Sequence, residues 1–209
     1  MPTAEQILSG LTQTVATWGI VSIIWHGYLG ALVISLALGF RPQKRIMGIM
    51  LCLPIISVSV FSWVGGNPFN GTLFALVSIA LIIISVLLPD SPIQVGPIWM
   101  IITGALIFVF GWVYPHFIEA SSFWPYLYSS PIGLIACPTL SIVIGLAIIL
   151  IGLESRAWSL VLGITGFVFG ITGAIWLGVQ IDWILFISAA IFVFSILKKS
   201  RNIRVAIAK

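Results

Sequence analysis

Residues 15–40 read VATWGIVSIIWHGYLGALVISLALGF, and Arg41-Pro42-Gln43-Lys44-Arg45 follows at once. The stretch is uncharged and exceeds the roughly 20 residues that an α-helix needs to cross a hydrocarbon core. The cations behind it mark a cytoplasmic loop, because short loops on that side collect Lys and Arg. Six more apolar stretches follow: Ile46–Val64, Thr72–Leu88, Pro97–Phe117, Ile132–Leu153, Ala157–Leu177 and Asp182–Leu197. Their apolar runs are continuous and do not alternate, which predicts helices and not barrel strands. Threaded alternately across a bilayer, they leave Arg41, Lys44, Arg45, Arg156, Lys198, Lys199, Arg201, Arg204 and Lys209 on one side. These are all nine Lys and Arg of the chain. The pattern predicts an all-α, polytopic transmembrane bundle of about seven spans in the plasma (inner) membrane, with the N-terminus outside and the C-terminus cytoplasmic.

Composition agrees. The chain is 60% hydrophobic and 7% charged, against roughly 25% charged in a soluble domain. The basic pI of about 9.4 does not signal nucleic acid. The cations sit in short loops and a tail, where they set topology and meet the lipid bilayer, the expected partner. The first dozen residues carry Glu5 and no Lys or Arg, unlike the start of a cleavable signal peptide. Ile7, Leu8, Leu11 and Val15 recur at helical spacing. Residues 1–14 are therefore either an interfacial segment or a frayed end. Short loops make residues 1–209 a single domain, with residues 198–209 a basic cytoplasmic tail. Cys52 and Cys137 fall toward opposite ends of their helices and are not expected to pair.

Tryptophan marks the expected membrane edges: Trp18, Trp63, Trp112, Trp124, Trp176 and Trp183 toward the outer face, Trp99 and Trp158 toward the inner. Trp25 lies within the first span. Phe123–Tyr128 is an aromatic segment suited to headgroup depth, as a cap over the bundle. Gly166 and Gly170 permit close backbone approach, either within the bundle or between copies in a homo-oligomer.

Several function classes are excluded on chemistry. No lysine stands mid-membrane to carry retinal, no helix has the spaced arginines of a voltage sensor, and no acid is central as in ion-coupled carriers. Glu5, Glu119 and Asp182 fall at the outer face; Asp90 and Glu154 fall at the inner. No catalytic constellation is recognisable, so enzymatic activity is undecided. What remains is a polar set in the outer half. His26 lies within the first span, on a stripe with Ser22 and Gly30. His116 and Glu119 share a face if the fourth helix continues that far. Cys137 precedes Pro138, which can free a carbonyl and kink the fifth helix. His26, His116, Glu119 and Cys137 are the ligand types of a transition metal such as zinc or copper. His26 and His116 could instead ligate haem. The plain alternative is a histidine satisfied by its neighbours and a cysteine acting as a small hydrophobe. Tyr114, Thr139 and Asp182 are further candidates.

At Tyr114-Pro115-His116 and at Pro131–Leu140, with its core Gly133-Leu134-Ile135-Ala136-Cys137-Pro138-Thr139, the chain resembles a family of small polytopic prokaryotic membrane proteins of unknown function. That family shows a Tyr-Pro element followed by a Gly-Leu-x-Pro-Cys-Pro-Thr element. Ala136 stands here where the pattern has Pro. The resemblance implies no activity, but it draws attention to Cys137, Pro138 and Thr139. Two functions are expected. One is binding or transport of a small solute or transition-metal ion at an outward-facing site. The other is an integral, structural or redox-associated subunit of a larger membrane complex.

Overall fold

The computed structural model describes residues 3–118 and 122–207, with side chains up to Leu197. All long elements among them are helices: α1 (Ala4–Ala37), α2 (Lys44–Val64), α3 (Pro68–Val86), α4 (Ile98–Trp112), the short α5 (Trp124–Ser129), α6 (Ala136–Ile149), α7 (Arg156–Ile171) and α8 (Trp183–Ile207). Five segments are long and apolar enough to cross a membrane: α1, α2, α3, α7 with its continuation to Trp176, and 180–197. The chain is an integral membrane protein by this measure. Large side chains such as Ile24, Ile34, Leu76, Ile83, Leu106 and Phe194 stand exposed on the outward faces. In a bilayer such a belt meets lipid.

α4 and α6 are shorter apolar helices, of 15 and 14 residues. The physical reason differs between them and the long spans. From Ala136 to Ile148 every residue of α6 is buried, so this helix touches protein on all sides. A helix apolar around its whole circumference belongs in a core. Wrapped by its neighbours, α6 has no need to match the hydrocarbon thickness. α4 packs against it backbone to backbone. A Cβ on Gly104 would meet the Gly145 carbonyl at 2.5 Å, and one on Gly111 would meet the Pro138 carbonyl at 2.7 Å. α7 meets α8 in the same way. A Cβ on Gly170 would meet the Phe186 amide nitrogen at 2.5 Å, and one on Gly166 the Ala189 methyl at 3.2 Å. The glycines of α7 thus serve packing within the bundle.

One end of the bundle gathers the described basic loops. Gln43, in the basic loop before α2, pairs with Pro92 of the α3–α4 connection. Lys44, at the start of α2, forms an ion pair at 2.5 Å with Glu154, between α6 and α7. Arg45 donates to the Leu88 carbonyl and lies 3.5 Å from Asp90. Ile151, Gly152, Leu153 and Glu154 all have positive φ, at 54°, 59°, 55° and 55°. Four such residues in succession make a left-handed turn. Such a conformation costs non-glycine residues about 1–2 kcal/mol each. Its ties are Lys44 on Glu154 and the Ser159 hydroxyl donating to the Gly152 carbonyl. Nothing in the sequence except Gly152 hints at it.

Several expectations need correction. Trp158 does not mark an interface: it is 0% exposed, and its indole N–H donates to Ser85 Oγ at 3.1 Å. The helix holding Cys137 begins at Ala136 and not at Ile132, because Gly133 (φ 74°) turns the chain first. Pro138 therefore sits in the first turn, where no N–H partner is due, and produces no kink. α4 stops at Trp112, since Pro115 cannot continue it and biases Tyr114 away from helix. His116 is thus in a loop, and Glu119 lies outside the described residues. Of the two readings, the frayed end does not hold from Thr3 onward for the N-terminal segment. A capping box between Thr3 and Gln6 starts it, and it runs into the first span across a kink at Trp18. Pro54 in α2 does deprive a carbonyl, that of Met50, and the Tyr28 hydroxyl donates to it at 3.1 Å.

Candidate functional site

Three elements converge at the end of the bundle opposite the basic loops. Tyr114 follows α4, Cys137 stands in the first turn of α6, and Asp182 immediately precedes α8. The Tyr114 hydroxyl donates to Asp182 Oδ1 at 2.6 Å. Cys137 lines the same cavity wall as this carboxyl. Asp182 is 2% exposed and Tyr114 0%. A carboxyl at the start of an apolar span looks cheaply hydrated in the sequence; here it is buried. Among the described residues no Lys, Arg or His pairs with it.

The backbone of α7 is shaped around this carboxyl. After Ile171 the helix widens into a π-turn over Thr172–Trp176, closed by the Leu177 N–H donating to the Thr172 carbonyl at 3.0 Å. π-turns recur at functional sites. The turn brings Gly173 against Asp182, and a Cβ at position 173 would collide with Asp182 Oδ2. The φ of Gly173 is not positive, so the residue is glycine for space and not for conformation.

Asp182 and Cys137 lie at the wall of a cavity of about 620 Å³. The remaining wall comes from the N-terminal part of α1, the α2–α3 turn, the start of α6 and the end of α7. Leu11, Phe61, Phe117, Leu134 and Phe169 make it largely apolar, with Gln6, Thr14, Ser62, Asn70 and Thr172 interspersed. The α1 segment before the Trp18 kink is held by a small satellite core. Val15 packs there with Leu134 and Ile135, flanked by Leu11, Phe61 and Phe117. A cavity of this size, apolar with a few convergent polar groups, is the usual form of a small-molecule site.

The other candidates fall elsewhere. His26 is buried, with Nδ1 2.8 Å from the Ser22 carbonyl and Nε2 3.2 Å from the Trp112 carbonyl. Its ring meets Trp112 edge-on at 4.7 Å, and Gly30 of the same stripe packs on that indole. Each ring nitrogen thus faces a backbone carbonyl, a neutral ring donates to one of the two, and the Trp112 contact joins α1 to the end of α4. His116 is half-buried, edge-on to Phe117 at 4.3 Å. Burial holds its imidazole below the ordinary histidine pKa. Thr139 closes the turn before α6: its hydroxyl accepts from the Gly133 N–H at 2.8 Å and donates to the Ile135 carbonyl at 2.7 Å. Trp25 lies over Gly133 and donates to Ser57. The aromatic segment forms α5, tied to α4 by the Trp112 N–H donating to the Leu127 carbonyl at 2.8 Å. Among the described residues no three His, Cys, Asp or Glu gather as metal ligands.

The triad was half legible. Tyr114, Cys137 and Asp182 each attract notice in the sequence, but nothing there joins residues so far apart in the chain. Gly173 was the missed signal, a glycine just beyond α7 that the small-residue pair at Gly166 and Gly170 does not explain. No protein-family model, curated protein or solved structure matches this chain.

Proposed function

We propose that the protein is a seven-span inner-membrane protein, N-terminus outside, that binds a small solute in the cavity at its outer end. The carrying observation is the buried Asp182 carboxyl at the wall of that cavity, with Tyr114 donating to it, Cys137 on the same wall and, among the described residues, no cation paired to it. Burying such a group without a counter-charge costs stability. Ionisable groups within membrane proteins mark binding or conduction sites by default. An organic solute fits the surroundings better than a transition metal, because among the described residues no set of three His, Cys, Asp or Glu forms around Cys137 and Asp182, and the cavity wall is largely apolar. Binding is favoured over transport by the packing below the site. Leu140, Val143, Ile144 and Ala147 of α6 are all fully buried there.

The family resemblance belongs to this proposal. Its Cys-Pro-Thr element supplies Cys137 on the cavity wall, and its Tyr-Pro element supplies Tyr114, which donates to Asp182 from behind that wall. The orientation rests on the nine-to-none distribution of Lys and Arg.

The test of binding is a thermal-shift screen of small amphipathic solutes on the protein in neutral-lipid nanodiscs. Asp182→Asn and Gly10→Trp serve as controls. Gly10 lines the cavity with open space at its Cβ, so an indole there fills the site without disturbing the fold. Hits that shift the unfolding midpoint of the native protein and not of Gly10→Trp support the proposal. Hits unaffected by Gly10→Trp refute it. The topology is tested separately by a C-terminal reporter, which is expected to be active in the cytoplasm.

A further inference from the structure

The cavity has two rims of different chemistry. Gln6, Asn67 and Asn70 border it toward the helix ends. On the flank, between the start of α3 and the end of α7, the border is Phe69, Val168 and Trp176. These three are 75%, 49% and 54% exposed. Below them Phe74 of α3 packs on Phe169 of α7, with ring centroids 4.9 Å apart, which closes the seam. In a membrane-spanning protein, large apolar side chains exposed on the flank face lipid and not water. The cavity therefore opens sideways to the bilayer as well as toward its surface.

Depth fixes which part of a ligand meets which wall. Asp182 immediately precedes α8, at the level where α2 ends and α3 begins, which is headgroup depth for a spanning bundle. Tyr114 donates to the carboxyl, Cys137 shares its wall, and neither brings positive charge. An anionic head would meet repulsion there, whereas a cationic one would supply the missing counter-charge. The geometry points to a long-chain amine as the ligand, its ammonium on Asp182 and its hydrocarbon chain passing between Phe69 and Trp176 into the bilayer. This inference rests on the cavity being a binding site.

The experiment uses the full chain in phosphatidylcholine nanodiscs. Dodecylammonium, dodecanol, dodecanoate and butylammonium are compared by the concentration dependence of the unfolding midpoint. Dodecylammonium is expected to bind roughly tenfold or more tighter than dodecanol, the range of a charge-assisted hydrogen bond. Dodecanoate should bind more weakly still. Asp182→Asn should abolish the preference for amine over alcohol, and Tyr114→Phe, which keeps the carboxyl, should preserve it. Butylammonium has the same charge but little membrane partition, and is expected to give no shift. Equal shifts for amine and alcohol that Gly10→Trp removes overturn the amine while leaving the cavity a binding site. Equal potency of butylammonium and dodecylammonium overturns entry from the bilayer. Shifts that survive Gly10→Trp, or none with any probe, overturn the cavity and the amine together.

Discussion

Gly173→Ala is the sharpest probe of the site, because a single methyl group would occupy the place of a carboxylate oxygen. A Cβ at position 173 would collide with Asp182 Oδ2 and lie 2.8 Å from its Cγ. Either the carboxyl turns away, breaking the 2.6 Å bond from Tyr114, or the π-turn of α7 shifts. Overpacking of this kind costs about 1–3 kcal/mol. Loss of a hydrogen bond to a charged or strongly polar group costs about 1.5–3 kcal/mol. These two are alternatives in large part, so about 2 kcal/mol is the expected sum. The decisive measurement is a double-mutant cycle with Asp182→Ala, read by unfolding in detergent. Removing the carboxyl leaves only the Asp182 Cβ at 3.0 Å. Gly173→Ala should then cost little, giving a coupling of about 1–3 kcal/mol with the double variant more stable than additivity predicts. Additive effects within about 0.5 kcal/mol would refute the contact and, with it, the account of the π-turn as a cradle for Asp182.

Three further outcomes follow from the packing. Tyr28→Phe strands the Met50 carbonyl that Pro54 cannot serve. It should destabilise by about 1–3 kcal/mol, and Pro54→Ala should relieve part of that loss in the Tyr28→Phe background; no relief would contradict the assigned role. At the basic end, Glu154→Gln leaves the Lys44 ammonium, 9% exposed, without its carboxylate, whereas Lys44→Gln leaves Glu154 at 34% exposure. The unfolding midpoint should therefore drop more for Glu154→Gln, and the reverse order would count against a buried ion pair. His116 has a folded pKa below its ordinary value of 6.5, so the unfolded chain binds the proton more readily. Its contribution is fully present above about pH 6.5 and is lost as pH falls from there through the folded pKa. Midpoints measured between pH 7.5 and 5 should fall less steeply in His116→Gln, and parallel curves would refute this.

The sequence displays long-range order only where one physical rule dominates. Apolar length and lysine–arginine placement mark the helices, and Pro54, Pro115 and Gly133 mark where local hydrogen bonding must change. The edges moved where a second rule competed. Ile132–Ile135 is apolar enough for helix, but Gly133 and Thr139 commit it to a turn. Trp158 has the composition of an interfacial anchor, yet Ser85 offers its N–H a buried partner from α3. The left-handed turn at Ile151–Glu154 has no local signature, because its ties come from Lys44 and Ser159. The site shares that difficulty. Tyr114, Cys137 and Asp182 are joined only by tertiary packing, and tertiary packing is what a sequence pattern at periods of two or 3.6 residues does not encode.

The two ends of the bundle divide the work between them. At the basic end, polar groups are matched in pairs: Lys44 with Glu154, Arg45 with Asp90, Trp158 with Ser85. Such an end has little to gain from a ligand, since these described groups already have partners. At the opposite end the same chain leaves a carboxyl with a tyrosine donor but, among the described residues, no charge partner, together with a π-turn, a helix kinked at Trp18 and a hollow between them. Each of these costs stability that a tighter packing would recover, and proteins retain such costs where a site needs them. A ligand that neutralises Asp182 and fills the hollow offsets both. Its binding should therefore stabilise the cavity-side parts of α1, α7 and α8 more than the basic end. Amide exchange by mass spectrometry on the nanodisc-held protein, with and without dodecylammonium, reads this difference directly. Protection confined to peptides covering residues 4–17 and 171–183 is expected; uniform protection across both ends would mean that the amine acts through the bilayer and not through the cavity.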